Sequence, residues 1–419
     1  MDLRQDACGR IAVLAAAAVA AVLGGCTAGD DAEAVRAELD RIAEEVAEVR
    51  GLDLDEPIDG EVLDDEAFAD LLAEVNVERE ATSQATTASE GVLRALRHLE
   101  PDEEVAPDDV GEVADGVYVP EREAFYIREQ DDDELSGLVE VVAAHEIQHA
   151  LQDRHAGLDR LIELGQGSDV EAYLGFNAVV EGDAVAVQEA WSREAQEPDA
   201  RAEYLASGQD LGDEQLAAIE ALPTYVVDQL QFVYVDGAEF VDALRADGGW
   251  DAVDAALADP PTTSYEVYHP EAYLDGFEPA EVTLADEPGA EWEEQWRSPF
   301  GAFDLFALLG HADRLAAAGL ASAWRGGELA LWEAADATAV ALRVEVEEAD
   351  GAAAEACGLM ADWYVAAAGA EPLDDPGELD ALLASGDERD DVLAVSCAGG
   401  DIAAGLAPDE GTAATLAGR

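Results

Sequence analysis

The chain has no lysine. All 21 of its basic residues are arginine, set against 97 aspartates and glutamates for a formal net charge of −76. A nucleic-acid partner is thereby excluded, because its phosphates would be repelled. Aromatic residues are also scarce, at 6%. Strong acidity with few aromatics is a signature of disorder, but 49% of the residues are hydrophobic and they recur at helical spacing. The reading is a folded protein whose acidic surface stays soluble at high salt. Its 419 residues suffice for one large or two ordinary domains. There are four cysteines and no CxxC spacing, so no thiolate metal site is indicated. The Ala-rich apolar run over 11–23 is too short to span a bilayer well.

Against those absences stands His145-Glu146-Ile147-Gln148-His149. No glycine or proline interrupts residues 139–152, which read as one helix. One turn separates His145 from His149 on a shared face, so both imidazoles can reach one metal ion. Glu146 is rotated by about 100° from His145, close enough to accept a proton from a water activated by that metal. Two His ligands, a Glu base and an open position make the zinc metallopeptidase arrangement. The plainer reading is a surface helix that happens to carry these residues. The apolar Leu138, Val139, Val141 and Val142 before the motif argue for placement beside core instead.

A catalytic zinc needs a third protein ligand, and two residues compete for the role. His155 has HExxHxxxxxH spacing, but Gln152 stands where that pattern needs a helix-breaking glycine. On a continuous helix His155 points about 240° away from His149. Met360 is the only internal methionine, which leaves a Met-turn poorly supported. Glu181 lies on a second apolar helix, read over 176–188, and is the stronger candidate. Asp183 is a candidate hydrogen-bond partner for a ligand imidazole, with a solvated or capping acid as the alternative. A zinc peptidase also needs a donor for the developing oxyanion. His269, Tyr268 and Tyr273 are candidates, with His269 favoured and a purely structural histidine as the alternative.

Residues 145–158, through His155-Ala156-Gly157-Leu158, resemble the active-site helix of thermolysin-like peptidases. Shared features are the HExxH, the following Ala150, Asp153 four residues after the second His, and Ala-Gly-Leu. A wider resemblance, over roughly residues 45–345, is to bacterial and haloarchaeal surface lipoproteins of the HExxH metallopeptidase type. Those carry HALQDxH, EGDA and PxSTEQxLHPxxY, matched here at 149–155, 181–184 and 261–273. Among the departures from the pattern are Tyr265 and Glu266, where it has Glu and Gln. The resemblance implies a gluzincin-type α+β core, with a small sheet whose edge strand lies over the cleft and two metal-binding helices. It also implies that Glu181 completes a Zn²⁺ site with His145 and His149. In thermolysin-like enzymes an aspartate follows that glutamate by four residues, where this chain has Val185.

Residues 1–26 read as an export signal ending in Leu23-Gly24-Gly25-Cys26, similar to a lipobox whose Cys26 takes the lipid. The alternative is a plain secretory signal. A lipid would tether a soluble domain to the outer face of the membrane. Of the other cysteines, Cys8 would leave with the signal. Cys357 and Cys397 remain, as a disulfide or as two buried thiols. Consecutive regions are expected over 1–26 (signal), 27–100 (acidic linker and helices), 101–285 (peptidase core) and 286–419 (a helical and mixed C-terminal region). Helices are read over 34–49, 62–76, 91–99, 296–309 and 352–368. A hairpin is read over 116–128, a strand over 340–346, the last strand over 392–397, and a turn over 324–328. The strand at Tyr118 or Phe125 is the expected edge on which a substrate backbone pairs. The sequence thus points to an exported, lipid-anchored zinc metallopeptidase at the cell surface, acting on peptides or proteins with Glu146 as general base. A surface binding or assembly lipoprotein that keeps the fold without catalysis is the competing reading.

Overall fold

In the computed structural model, the hairpin read over 116–128 is present and a third strand joins it. β1 (Asp59–Leu63), β2 (Gly116–Val119) and β3 (Ala124–Arg128) form a sheet in the order β1-β3-β2. β1 runs parallel to β3, and β2 runs antiparallel to it. Among the described residues the Tyr118 strand is therefore an edge of this sheet. The Phe125 strand is its centre, with both sides paired, which removes it as an edge for a substrate. The structure describes residues 30–418 apart from 81–84, 102, 104–113, 130–135, 208–212, 285–286, 336, 348–351, 374–376 and 378. The signal read over 1–26, with Cys8 and Cys26, lies outside the described residues. Among the described residues no helix is long and apolar enough to cross a membrane.

The chain is mixed α and β, and its contacts divide it into two interleaved units rather than consecutive regions. The first holds Met1–Thr82, Val105–Glu163 and Phe176–Pro260, and the second holds Ser83–Glu104, Leu164–Gly175 and Pro261–Arg419. The regions read as 27–100, 101–285 and 286–419 thus do not coincide with the units of the fold.

In the first unit, one face of the small sheet packs Val117, Val119 and Tyr126 against Leu71 and Val75 of the helix Asp65–Glu80. That helix was expected from residue 62. It starts later because Asp64 accepts a hydrogen bond from the Ala67 N–H at 2.8 Å, and the residues before it pair as β1. The other face meets the helix Gly137–Ala156, to whose Asp153 the Tyr118 hydroxyl donates at 2.8 Å. Ser136 caps this helix through Val139 N–H, and Gly157, with φ 77°, ends it. From Gly137 to Gln152 every residue is buried, so this helix has no solvated stripe and its polar residues must find partners inside. The reading of one unbroken helix through the motif holds.

The second apolar helix runs over Val170–Glu194, longer than expected. Opposite it, Thr224–Gln231, a π-helical turn Phe232–Asp236 and Gly237–Gly248 follow one another without a break. Gly182 lies against the Gly237 backbone, and Gly237 lies against that of Ala178. A Cβ on either glycine would collide with main chain, so this pair lets two helices cross in backbone contact.

The second unit is built on a seven-stranded antiparallel sheet ordered β4-β5-β6-β10-β9-β8-β7. The strands are β4 (Glu293–Pro299), β5 (Trp324–Ala334), β6 (Ala337–Val346), β7 (Glu371–Pro372), β8 (Ala381–Ala384), β9 (Val392–Ala398) and β10 (Asp401–Ala407). Period-two alternation gives it two apolar faces. Leu329, Leu331, Val340, Leu342 and Val344 join the core containing Trp363 and Tyr364, while Ala330, Trp332, Ala339 and Ala341 face Ala413 and Leu416.

Three expectations fail here. Residues 296–309 are not one helix: β4 holds Trp296, and a helix begins only at Ala302, after Pro299 and Gly301. Residues 324–328 are not a turn but the start of β5; Gly326 and Gly327 are there because the Ala280 and Phe300 carbonyls approach where a Cβ would sit. The strand at 392–397 is not the last, since β10 pairs back on it. The helix Ala352–Ala368 is as expected, and Cys357 on it is disulfide-bonded to Cys397 on β9.

Candidate metal centre

Three side chains of the first unit converge: His145 and His149 from Gly137–Ala156, and Glu181 from Val170–Glu194. His145 Nε2 lies 3.3 Å from Glu181 Oε2, His149 Nε2 lies 3.4 Å from the same oxygen, and the two Nε2 atoms are 3.0 Å apart. A tetrahedral zinc with bonds near 2.0–2.1 Å needs its donors about 3.3 Å apart. The donor set therefore fits zinc in both chemistry and spacing.

Glutamines hold the outer nitrogens of both rings. Gln188 Oε1 is 2.8 Å from His145 Nδ1, and Gln152 Oε1 is 2.9 Å from His149 Nδ1. With each Nδ1–H donated to a carbonyl oxygen, the two Nε2 lone pairs face each other and Glu181. That arrangement calls for a cation or a proton between them. Burial disfavours a charged His149, but Glu181, Glu146 and the Gln152 hydrogen bond together outweigh it and lift the ring to about 9. Burial likewise works against an ionised Glu181, and the two imidazoles overcome it and hold the carboxyl below its usual range.

Glu146 is buried beside this cluster. Burial pushes its carboxyl up, offset in part by His145, His149 and a backbone hydrogen bond at Tyr118 on β2. The same strand passes very close: a Cβ on Gly116 would lie 2.7 Å from Val142 Cγ1 and 2.8 Å from Glu146 Oε1. The edge strand thus runs directly over the proposed base. Asp153 secures it from below, taking the Tyr118 hydroxyl on one oxygen and the Leu158 N–H on the other.

Two residues of the first unit that were read from the sequence do not come to this cluster. His155 does not: the helix continues through it, and it is exposed, with Nε2 on the Asp53 carbonyl at 3.0 Å. Its candidacy as a metal ligand is withdrawn. Asp183 does not touch an imidazole; its oxygens accept from Arg50, Gln148 and Gln152. His269 belongs to the second unit, where its ring stacks on Tyr265 at 4.5 Å and its Nδ1 lies 3.6 Å from Glu271. Cys357 and Cys397 stand near Asp380 in a group of potential metal donors, but their sulfurs are spent on the disulfide.

Three contributors escaped the sequence reading. Gln152 and Gln188 could have been suspected, since each is a polar residue on an otherwise apolar helix within two turns of a ligand. Tyr234, whose ring centroid is 6.0 Å from that of His145, could not. It sits in the π-helical turn, and no local pattern announces that turn. Comparison with protein-family models, with curated proteins and with solved structures returns no match to this chain.

Proposed function

We propose that this chain is a zinc metallopeptidase of the gluzincin type. The observation that carries the reading is the convergence of His145, His149 and Glu181 beside a buried Glu146, under an edge strand. His145, His149 and Glu181 would hold the ion. Zinc bound there would supply Lewis acidity, polarising a scissile carbonyl and lowering the pKa of water. Glu146 takes the proton of the attacking water and delivers it to the leaving amine. Its raised pKa suits both roles. β2 aligns an extended peptide by backbone pairing next to Glu146. Tyr234 is the candidate oxyanion donor within the same unit. The sequence reading of residues 1–26 adds export and a lipid anchor at Cys26, which would place the activity on peptides or proteins outside the cell.

The test is Glu146→Gln in the soluble chain, followed with an unstructured protein substrate and by metal content. Cleavage should fall by about 10²–10⁴-fold with zinc retained. A wild-type protein that binds zinc but cleaves nothing would favour a non-catalytic surface binding protein.

A further inference from the structure

Asp183 is completely buried, with two turns of the Gly137–Ala156 helix packed against it. One of its oxygens takes Arg50 Nε at 2.9 Å, and Arg50 Nη2 also reaches Asp254 at 2.6 Å. The other oxygen takes Gln148 Nε2 at 2.8 Å and Gln152 Nε2 at 3.0 Å. The guanidinium supplies the counter-charge that a carboxylate in this position requires.

The consequence runs through Gln152. Its Nε2 faces two atoms that can only accept, Asp183 Oδ2 and the Val180 carbonyl at 2.8 Å. Reversing the amide would set its oxygen against both of them. The amide is therefore locked with Oε1 toward His149 Nδ1, 2.9 Å away. A carbonyl oxygen can only accept, so Nδ1 must carry a hydrogen, and the neutral ring must present its Nε2 lone pair toward Glu181. His145 has a comparable glutamine, Gln188, but among the described residues no carboxylate is hydrogen-bonded to that amide.

We propose that Asp183, acting through Gln152, sets the tautomer of His149 and so prepares it as a metal ligand. Asp183 is a positioning residue: it touches neither an imidazole nor the metal position. This inference rests on the zinc site proposed above. It gives the Glu-Gly-Asp sequence a single logic. Glu181 supplies a ligand, Gly182 allows the helix crossing, and Asp183 orients a ligand supplied by the other helix.

The experiment measures zinc affinity of the soluble, folded chain by competition with a chromophoric chelator, with circular dichroism to verify the fold. Asp183→Asn has one acceptor oxygen where Arg50 and Gln152 each need one, which weakens the lock, leaving it to the Val180 carbonyl. Zinc binding should weaken by about 10–100-fold, and Gln152→Leu should weaken it similarly. Combining the two should cost little more than either alone, whereas Asp183→Asn with Gln188→Leu should be additive. A purely structural role for Asp183 would give additivity with both. If Asp183→Asn does not fold, Gln152→Leu alone carries the test, and wild-type affinity in that variant overturns the proposal. Unchanged affinity in Asp183→Asn, or full additivity with Gln152→Leu, also overturns it while leaving the zinc site intact. No zinc in the wild type would overturn the site and this inference together.

Discussion

The two units bury polar groups in different ways. In the second unit the buried acids serve backbone. Glu171 accepts from Ser264 N–H and hydroxyl, and Glu266 accepts from the N–H groups and hydroxyls of Thr262 and Thr263. Both secure the start of one short helix, Ser264–Tyr268. In the first unit several buried polar side chains serve one another. Arg50, Asp183, Gln148 and Gln152 form a connected set that ends on His149, and Gln188 ends on His145. Burial of a polar residue does not by itself mark a site. What marks the first unit is that its chains of side-chain hydrogen bonds run toward three converging donors.

That contrast can be broken or sharpened by substitutions that should affect one unit and spare the other. The largest stability effect belongs to the disulfide. Cys357 and Cys397 are separated by 40 residues in sequence, and a loop of that size implies about 4 kcal/mol of stabilisation. Replacing both with serine should lower the melting temperature of the second unit in calorimetry and leave zinc affinity unchanged. A parallel loss of zinc would show that the units do not behave independently.

Next comes Gly116→Ala in the first unit. The added methyl would press on Glu146 and Val142, pushing the edge strand off the base. Peptidase turnover should fall by about 10–100-fold while zinc content stays at the wild-type level. Unchanged turnover would mean that β2 does not position the reaction.

The last effect is confined to a pH window in the second unit. Glu171 is raised to about 8, first by burial and then by Asp304. A carboxyl with a folded pKa above its unfolded one holds its proton more tightly in the native state. It therefore costs stability as pH rises from the unfolded value near 4.5 to about 8. Glu171→Gln should flatten that slope in denaturant titrations across this window. A slope unchanged by the substitution would assign it to another group.

Local geometry explains what could be read from the sequence. The positions of His145, Glu146 and His149 depend only on the helical repeat, and the same repeat turns His155 away. Glu181 was accessible through the resemblance to HExxH peptidases, which take the third ligand as a glutamate on the next core helix. Long-range contacts decide the remainder. Asp183 read as a direct partner of an imidazole, and only the packing of two helices inserts Gln152 between them. Residues 296–309 looked amphipathic as a helix, yet β4 gains a ladder with β5 that no local preference could foresee. The interleaving of the units follows from where the chain returns, which composition does not record. Tyr234 depends on one π-helical turn.

The central claim is that His145, His149 and Glu181 form a zinc site. It is tested most directly by counting zinc per chain, with elemental mass spectrometry, on protein lacking residues 1–26 and purified without chelator, beside its Glu181→Ala variant. Close to one zinc is expected in the wild type, with a large loss in the variant. A wild type without zinc, or a variant that keeps it, would contradict the account.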